Sequence, residues 1–212
     1  MGGDDTHQFP LTMIRLKPPR MKLLVIDRNN LQAASEIQKT LFPGADAFVN
    51  YVESIKGITD NEYWIIEENG QHIGVSGIYS LPQMRDSAWL GWFGILEKYR
   101  RMGLGSKALK LFEAEAKKRG YRFVRLYTGR YNNATAKSFY ESNGYIEEHY
   151  DCTEDPGSAV EKLSIYSKSL YADTDIIPWK SKNLHIDEQL QKQAMGEKMR
   201  ALFFHFQTTS QR

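Results

Sequence analysis

The segment Arg100-Arg101-Met102-Gly103-Leu104-Gly105 carries the clearest chemistry in this sequence. It joins an apolar run, 88–96, to a stretch with helical periodicity, so it is a strand-to-helix turn. At such a junction the first helical N–H groups lack intrahelical partners and point outward, and the helix dipole favours an anion. Glycines at 103 and 105 let the backbone approach a phosphate-bearing ligand without a Cβ in the way. Arg100, Arg101 and Lys107 add positive charge that a bare structural turn does not need. The spacing is neither that of a nucleoside-triphosphate loop nor that of the dinucleotide fingerprint. Two glycines at a helix start also serve packing alone, so the turn names an anion site without naming the anion.

The elements that must position this turn are legible on either side of it. A short strand is predicted over 22–26. Asn29 and Asn30 suit the N-cap of a helix with the apolar stripe Leu31, Ala34, Ile37 and Leu41, stopped by Pro43-Gly44. A second helix is predicted over 46–55, displaying Phe48, Val52 and Ile55. Runs 63–68 and 71–81 read as strands joined by Asn69-Gly70, a dipeptide that tolerates the positive φ angles of a type I′ turn. The 88–96 strand is nearly apolar throughout, as a strand buried on both faces is. The helix after the turn shows Leu104, Ala108, Leu111 and Phe112 on one face. Lys117, Lys118 and Arg119 suit its negative end and Gly120 its C-cap.

Downstream, 121–127 reads as a strand, 133–142 as a helix ending at Gly144, and 145–151 and 162–169 as strands split by a turn at Asp155-Pro156-Gly157. Strand, helix and strand in succession imply a right-handed crossover and a partly parallel centre, which the hairpins make mixed. Beyond 171 the character changes. An amphipathic helix fits Ile186, Leu190, Met195, Met199, Leu202 and Phe206. It is read as docked on its own domain, with a dimer contact or a groove cover as the alternatives.

A second motif follows the glycine turn: Asn133, Ala136, Phe139 and Tyr140, ending in Glu141-Ser142-Asn143-Gly144-Tyr145. A strand, an R-x-x-G-x-G turn, a helix, a strand and then N-x-x-A-x-x-F-Y together resemble the GNAT superfamily of acyl-CoA-dependent N-acyltransferases. The resemblance spans about 23–169 and is closest over 89–145. It implies an α/β (α+β-like) three-layer fold, with a central mixed, mostly antiparallel sheet flanked by helices. It also implies acetyl-CoA as the acyl-donor cosubstrate. Backbone amides from Met102 through Gly103, Leu104, Gly105 and Ser106 to Lys107, with Arg100 and Arg101, would hold the pyrophosphate. Main-chain groups of Phe93 and Ile95 would pair with the pantetheine arm, the amide near Phe93 polarising the thioester carbonyl. Asn133 would hydrogen-bond the cofactor arm, and Ala136 would lie among the cofactor-binding residues. Tyr140 would protonate the departing thiolate.

Two departures from the family pattern stand out. Where members often carry proline after the strand this chain has Glu97, and the 88–96 strand holds no acid or histidine to act as a base. Candidates for that role are Glu67, Glu68, Tyr79 and Asp86, all with simpler structural readings, and His72 reads as exposed. The acceptor pocket is expected from the first two helices and the final hairpin, with Phe42, Phe48, Tyr51, Trp89 and Trp92 as aromatic surface. The acceptor amine itself stays open.

Composition bounds the rest. With 28 Lys and Arg against 26 Asp and Glu, the net charge of +2 gives no reason to expect nucleic-acid binding. The lone cysteine, Cys152, rules out an intrachain disulfide, and no clustered ligands suggest a metal. No apolar run reaches membrane-spanning length, and residues 1–20 lack a signal-peptide core, so a cytoplasmic protein is expected, as monomer or homodimer. The organisation expected is a lead-in at 1–20, a catalytic domain at 21–170 and an extension at 171–212. The function expected is N-acetyl transfer to a primary amine. A noncatalytic acyl-CoA-binding module and an interaction protein acting through the tail helix are the competing readings.

Overall fold

The structure, a computed structural model, describes residues 21–81, 84–129, 133–148, 163–172 and 176. The expected lead-in, Cys152, the turn at Asp155-Pro156-Gly157 and the tail helix lie outside the described residues. In chain order the elements are β1 (Met21–Val25), α1 (Leu31–Leu41), α2 (Phe48–Ile55), β2 (Glu62–Glu68), β3 (Gln71–Leu81) and β4 (Met84–Ile95). A 3-10 turn (Glu97–Tyr99) leads to α3 (Leu104–Lys118), β5 (Phe123–Gly129), α4 (Ala134–Ser142), β6 (Ile146–Glu148) and β7 (Leu163–Ser169). The strands form one sheet in the order β1-β2-β3-β4-β5-β7-β6. Only β4 and β5 pair in parallel among the described strands; the other neighbours are antiparallel. The crossover through α3 is thus the predicted parallel centre, whereas α4 joins two strands that β7 separates.

Alternation along β2 shows why the fold has three layers. Trp64 packs with Leu109, Phe112 and Ala116 of α3 on one face. Tyr63 and Ile65 pack with Ala34 and Ile37 of α1 and Tyr51 of α2 on the other. The hairpin between β2 and β3 turns at Asn69 (φ 53°) and Gly70 (φ 80°), both in the left-handed region that a type I′ turn demands.

Some local expectations shift. Asn30 does occupy the N-cap of α1, but its side chain caps no helical N–H. Its Oδ1 accepts from Asp27 N–H (2.8 Å) and its Nδ2 donates to Val25 C=O (2.9 Å), fastening β1 to the helix. Helix α2 buries Asn50 and Tyr51 and leaves Phe48 43% exposed. The apolar residues of α2 lie on one side of the helix, but the buried pair includes Asn50 from the other, so the apolar stripe does not mark its buried face. On α3, Leu109 is buried where Leu111 was expected. Strand β4 begins at Met84 and so includes Asp86, because Met84 already pairs with Leu81 of β3.

The tyrosines of this core make stability depend on alkaline pH. Burial pushes the phenols of Tyr51, Tyr63, Tyr79, Tyr140 and Tyr145 above the ordinary value near 10.0. Below about pH 10 folded and unfolded chains both keep these protons, so this contribution is fully present. Above it the unfolded chain releases them first, and stability falls by about 1.4 kcal/mol per pH unit for each tyrosine. Urea titrations across that range are expected to show the midpoint dropping steeply above about pH 10. A midpoint that stays level well above that pH contradicts this account of the core.

Candidate active site

The site begins where two strands part. Strands β4 and β5 pair only from Ser87 to Trp89 and from Phe123 to Arg125, although both run on for several residues. A buried network closes the paired end. Arg125 Nε donates to Glu148 (2.8 Å), Arg125 also donates to Ser87, and Ser167 donates to Glu148, so β4, β5, β6 and β7 are tied together. Beyond that point β4 bulges. Val75 pairs with Gly94 and Gly77 with Gly91, leaving Trp92 and Phe93 opposite Ser76 alone, and Trp92 takes φ 47°.

The split opens into a cavity of about 940 Å³. Its lining comes from both faces of the sheet. Leu90, Leu126, Ala136, Phe139 and Tyr140 belong to or pack on the α3 side, while Tyr63 belongs to the α1–α2 core with Leu41, Phe42 and Trp92 packed on it. The cavity therefore crosses the sheet between β4 and β5.

On the α3 side the glycine turn joins β4 to α3, as expected, but its two glycines answer different demands. Gly103 sits at the N-cap with φ 72°, a conformation any L side chain resists, and a Cβ there would meet nothing within 4 Å. Gly105 answers a different demand: its Cβ would stand 3.2 Å from the Phe139 ring, so it lets α3 and α4 approach each other. The first intrahelical bond runs from Lys107 N–H to Gly103 C=O (3.2 Å). That leaves Leu104, Gly105 and Ser106 as the helical amides ahead of it. Lys107 has an exposed side chain and Met102 is 63% exposed; neither lines the cavity. The side chain of Leu104 is buried with Ile66, Ile73, Ile95 and Ala108. Arg100, Arg101, Gly103, Gly105 and Ser106 do line it. The chain reaches α3 through the 3-10 turn that starts at Glu97, so no proline is needed there.

Main-chain groups of β4 face the split. Leu96 N–H donates to Ile73 C=O on β3 (2.8 Å), so by alternation the polar groups of Ile95 point the other way. Arg100 Nε donates to that Ile95 carbonyl (2.8 Å) and braces the turn against the strand. Phe93 lines the cavity and its ring stacks on Phe139 (6.1 Å between centroids). From α4, Asn133 Nδ2 donates to Thr128 at the end of β5, which fixes the helix start against the far wall of the split. Tyr140 is 8% exposed, its ring set edge-on to Tyr145 (5.8 Å) and Phe139 (5.2 Å). Burial raises its pKa, so it holds its proton at neutral pH.

The candidates for a base separate cleanly. Glu67 is paired with Lys22 (2.9 Å) and Asp86 accepts from Ser87 Oγ (2.9 Å); neither lines the cavity, nor do Glu68 and His72. Tyr79 does, but burial keeps it protonated, so it cannot serve as an anionic base. Among the described residues the lining holds no carboxylate, imidazole or thiol. Of the aromatic residues expected around the acceptor, Phe42 and Trp92 line the cavity, whereas Phe48, Tyr51 and Trp89 do not. Tyr63 and Tyr127 do, and were not expected. Gly77 was the available signal for Tyr63, since a Cβ there would stand 2.4 Å from its ring.

Comparison with known proteins agrees with this geometry. The acetyltransferase (GNAT) family profile matches residues 31–145. No curated protein matches the sequence significantly. Among solved structures, an acetyltransferase of the GNAT family from Staphylococcus aureus Mu50 is 19% identical with a TM-score of 0.56, over 72% of this chain and 100% of that one. The ribosomal-protein-S18-alanine N-acetyltransferase of Escherichia coli is 19% identical with a TM-score of 0.55, over 76% and 100%. The PaiA N-acetyltransferase of Thermoplasma acidophilum, solved in complex with coenzyme A, is 17% identical with a TM-score of 0.55, over 71% and 99%. These likenesses show a shared fold. With the family profile covering more than half of the chain, this protein belongs to the GNAT acetyltransferase family, whose acyl donor is acetyl-CoA.

Proposed function

We propose that the chain is an N-acetyltransferase that moves the acetyl group of acetyl-CoA to a primary amine by direct attack on the thioester. The observation that carries this reading is one continuous cavity crossing the sheet, with the glycine turn and Tyr140 on its α3 side and an aromatic chamber on its α1–α2 side. Acetyl-CoA supplies an acyl carbon already activated as a thioester.

The amides of Leu104, Gly105 and Ser106 receive the pyrophosphate, and Arg100 and Arg101 add charge at the same end. The main-chain groups of Phe93 and Ile95 bind the pantetheine arm as an added strand, beside Asn133 and Ala136. The amide of Phe93 donates to the carbonyl oxygen as negative charge builds there. Tyr140 gives its proton to the sulfur while the amine nitrogen forms its bond to the acyl carbon and the C–S bond breaks. The proton that the amine loses leaves to solvent, and Tyr140 regains one, so the protons balance. Tyr140 suits an acid because burial keeps it protonated.

The absence of a carboxylate or imidazole among the described lining residues favours a second reading, a noncatalytic module that holds acyl-CoA. Incubating the protein with acetyl-CoA and a panel of amines, while following free thiol and acetylated product together, separates the two. Transfer predicts thiol and product appearing in equal amounts. Saturable CoA binding with neither product on any amine overturns the enzyme reading.

A further inference from the structure

The acceptor half of the cavity has a distinctive chemistry. Leu41 and Phe42, from the end of α1, come down on β4 because Gly94 has no side chain; a Cβ there would stand 3.1 Å from Leu41 and 3.3 Å from Phe42. Phe42 meets the Trp92 ring edge-on at 5.4 Å. Across the chamber the Tyr63 ring occupies the space that a Gly77 Cβ would fill, 2.4 Å from its Cδ1, and Tyr79 lies beside Gly91 at 3.4 Å. Tyr127 completes the wall from β5. The only formally charged side chains among the described lining residues are Arg100 and Arg101, at the donor end.

Such a chamber discriminates by what it lacks. A polyamine would bring several ammonium groups away from water with no carboxylate among the described lining to meet them, which is costly. A free amino acid would bring a carboxylate to a chamber whose described lining offers cations only at the donor end, in Arg100 and Arg101, and an aminoglycoside would bring many hydroxyls to apolar walls. An amine on an aromatic or aliphatic body buries that body against the rings, which also tolerate a single ammonium over their faces. Three polar groups of the lining have no hydrogen-bond partner among the described residues: the hydroxyls of Tyr63 and Tyr79 and the Nε1–H of Trp92. Tyr79 is 2% exposed, its ring stacks on Trp89 (6.1 Å), and its buried hydroxyl has no hydrogen-bond partner among the described residues. A buried hydroxyl left unpaired is unfavourable, and a ligand nitrogen that reaches it removes that cost.

We infer that this chamber takes a small monoamine on an uncharged aromatic or aliphatic body, with Tyr79 as a positioning residue that hydrogen-bonds the amine nitrogen. The inference rests on the transferase reading above but is tested apart from it, by equilibrium binding. Titration calorimetry of phenethylamine, spermidine and glutamate into the CoA-saturated protein provides the readout. Phenethylamine is expected to bind at least ~100-fold more tightly than either, the size of discrimination a matched apolar pocket reaches. Tyr79→Phe is expected to weaken it by roughly tenfold, the worth of one hydrogen bond, with CoA affinity unchanged. Spermidine or glutamate binding as tightly as phenethylamine, or no phenethylamine binding, overturns the chamber assignment. An unaltered affinity in Tyr79→Phe overturns the role of Tyr79. Phenethylamine that binds tightly but is never acetylated upholds the chamber and contradicts the transferase reading instead.

Discussion

Replacing Tyr140 with phenylalanine is expected to lower kcat by roughly 10²- to 10⁴-fold, the range that one positioned acid supplies. The fold should not register the change. The contacts of Tyr140 with Phe139, Tyr145 and Tyr166 are ring contacts, with centroids 5.2 to 6.0 Å apart, and phenylalanine keeps the ring. Acetyl-CoA affinity should stay within about twofold, because the hydroxyl acts on the departing sulfur and not on the pyrophosphate. Steady-state kinetics beside a CoA titration checks both halves. A kcat close to that of the wild type would remove Tyr140 from the chemistry and leave it a core aromatic.

The second large effect concerns the cradle. Ser106 lines the cavity as the third residue of α3. Glutamate is a favoured helix residue at that position, since its carboxylate complements unpaired N–H groups and the positive end of the dipole. Ser106→Glu should therefore fold with a melting temperature no lower than the wild type. It places a negative charge where the pyrophosphate belongs, however. Two like charges about 4 Å apart at an effective dielectric of about 20 repel by roughly 4 kcal/mol, so CoA binding is expected to weaken by about 100- to 1000-fold. Ser106→Ala should change it little. If the glutamate variant binds CoA as the wild type does, the anion site lies elsewhere.

Much of this site was legible in the sequence because it rests on local signals. The turn at Asn69-Gly70, the strand-to-helix turn before α3 and the Asn133–Tyr140 helix each depend on a few neighbouring residues, and each stands where its residues place it. What escaped depends on contacts between distant segments. The insertion of β7 between β5 and β6 leaves no local mark. The bulge at Trp92 uses a bulky residue at positive φ, where glycine is the ordinary signal. Gly105 was read as clearance for a ligand, and its neighbour is Phe139, a side chain 34 positions onward. Tyr63 and Tyr127 come together with Tyr79 only once the four strands β2 to β5 are placed side by side.

The claim on which the account depends is that the donor binds in the β4–β5 split with its pyrophosphate on the first turn of α3. Titrating CoA into nitrogen-15-labelled protein and following the amide resonances tests it without any acceptor. Leu104, Gly105 and Ser106, together with Ile95, are expected to shift with one common saturation curve, while Lys22 and Glu67 at the far side of the sheet stay in place. Saturation that leaves those four amides unmoved would contradict it.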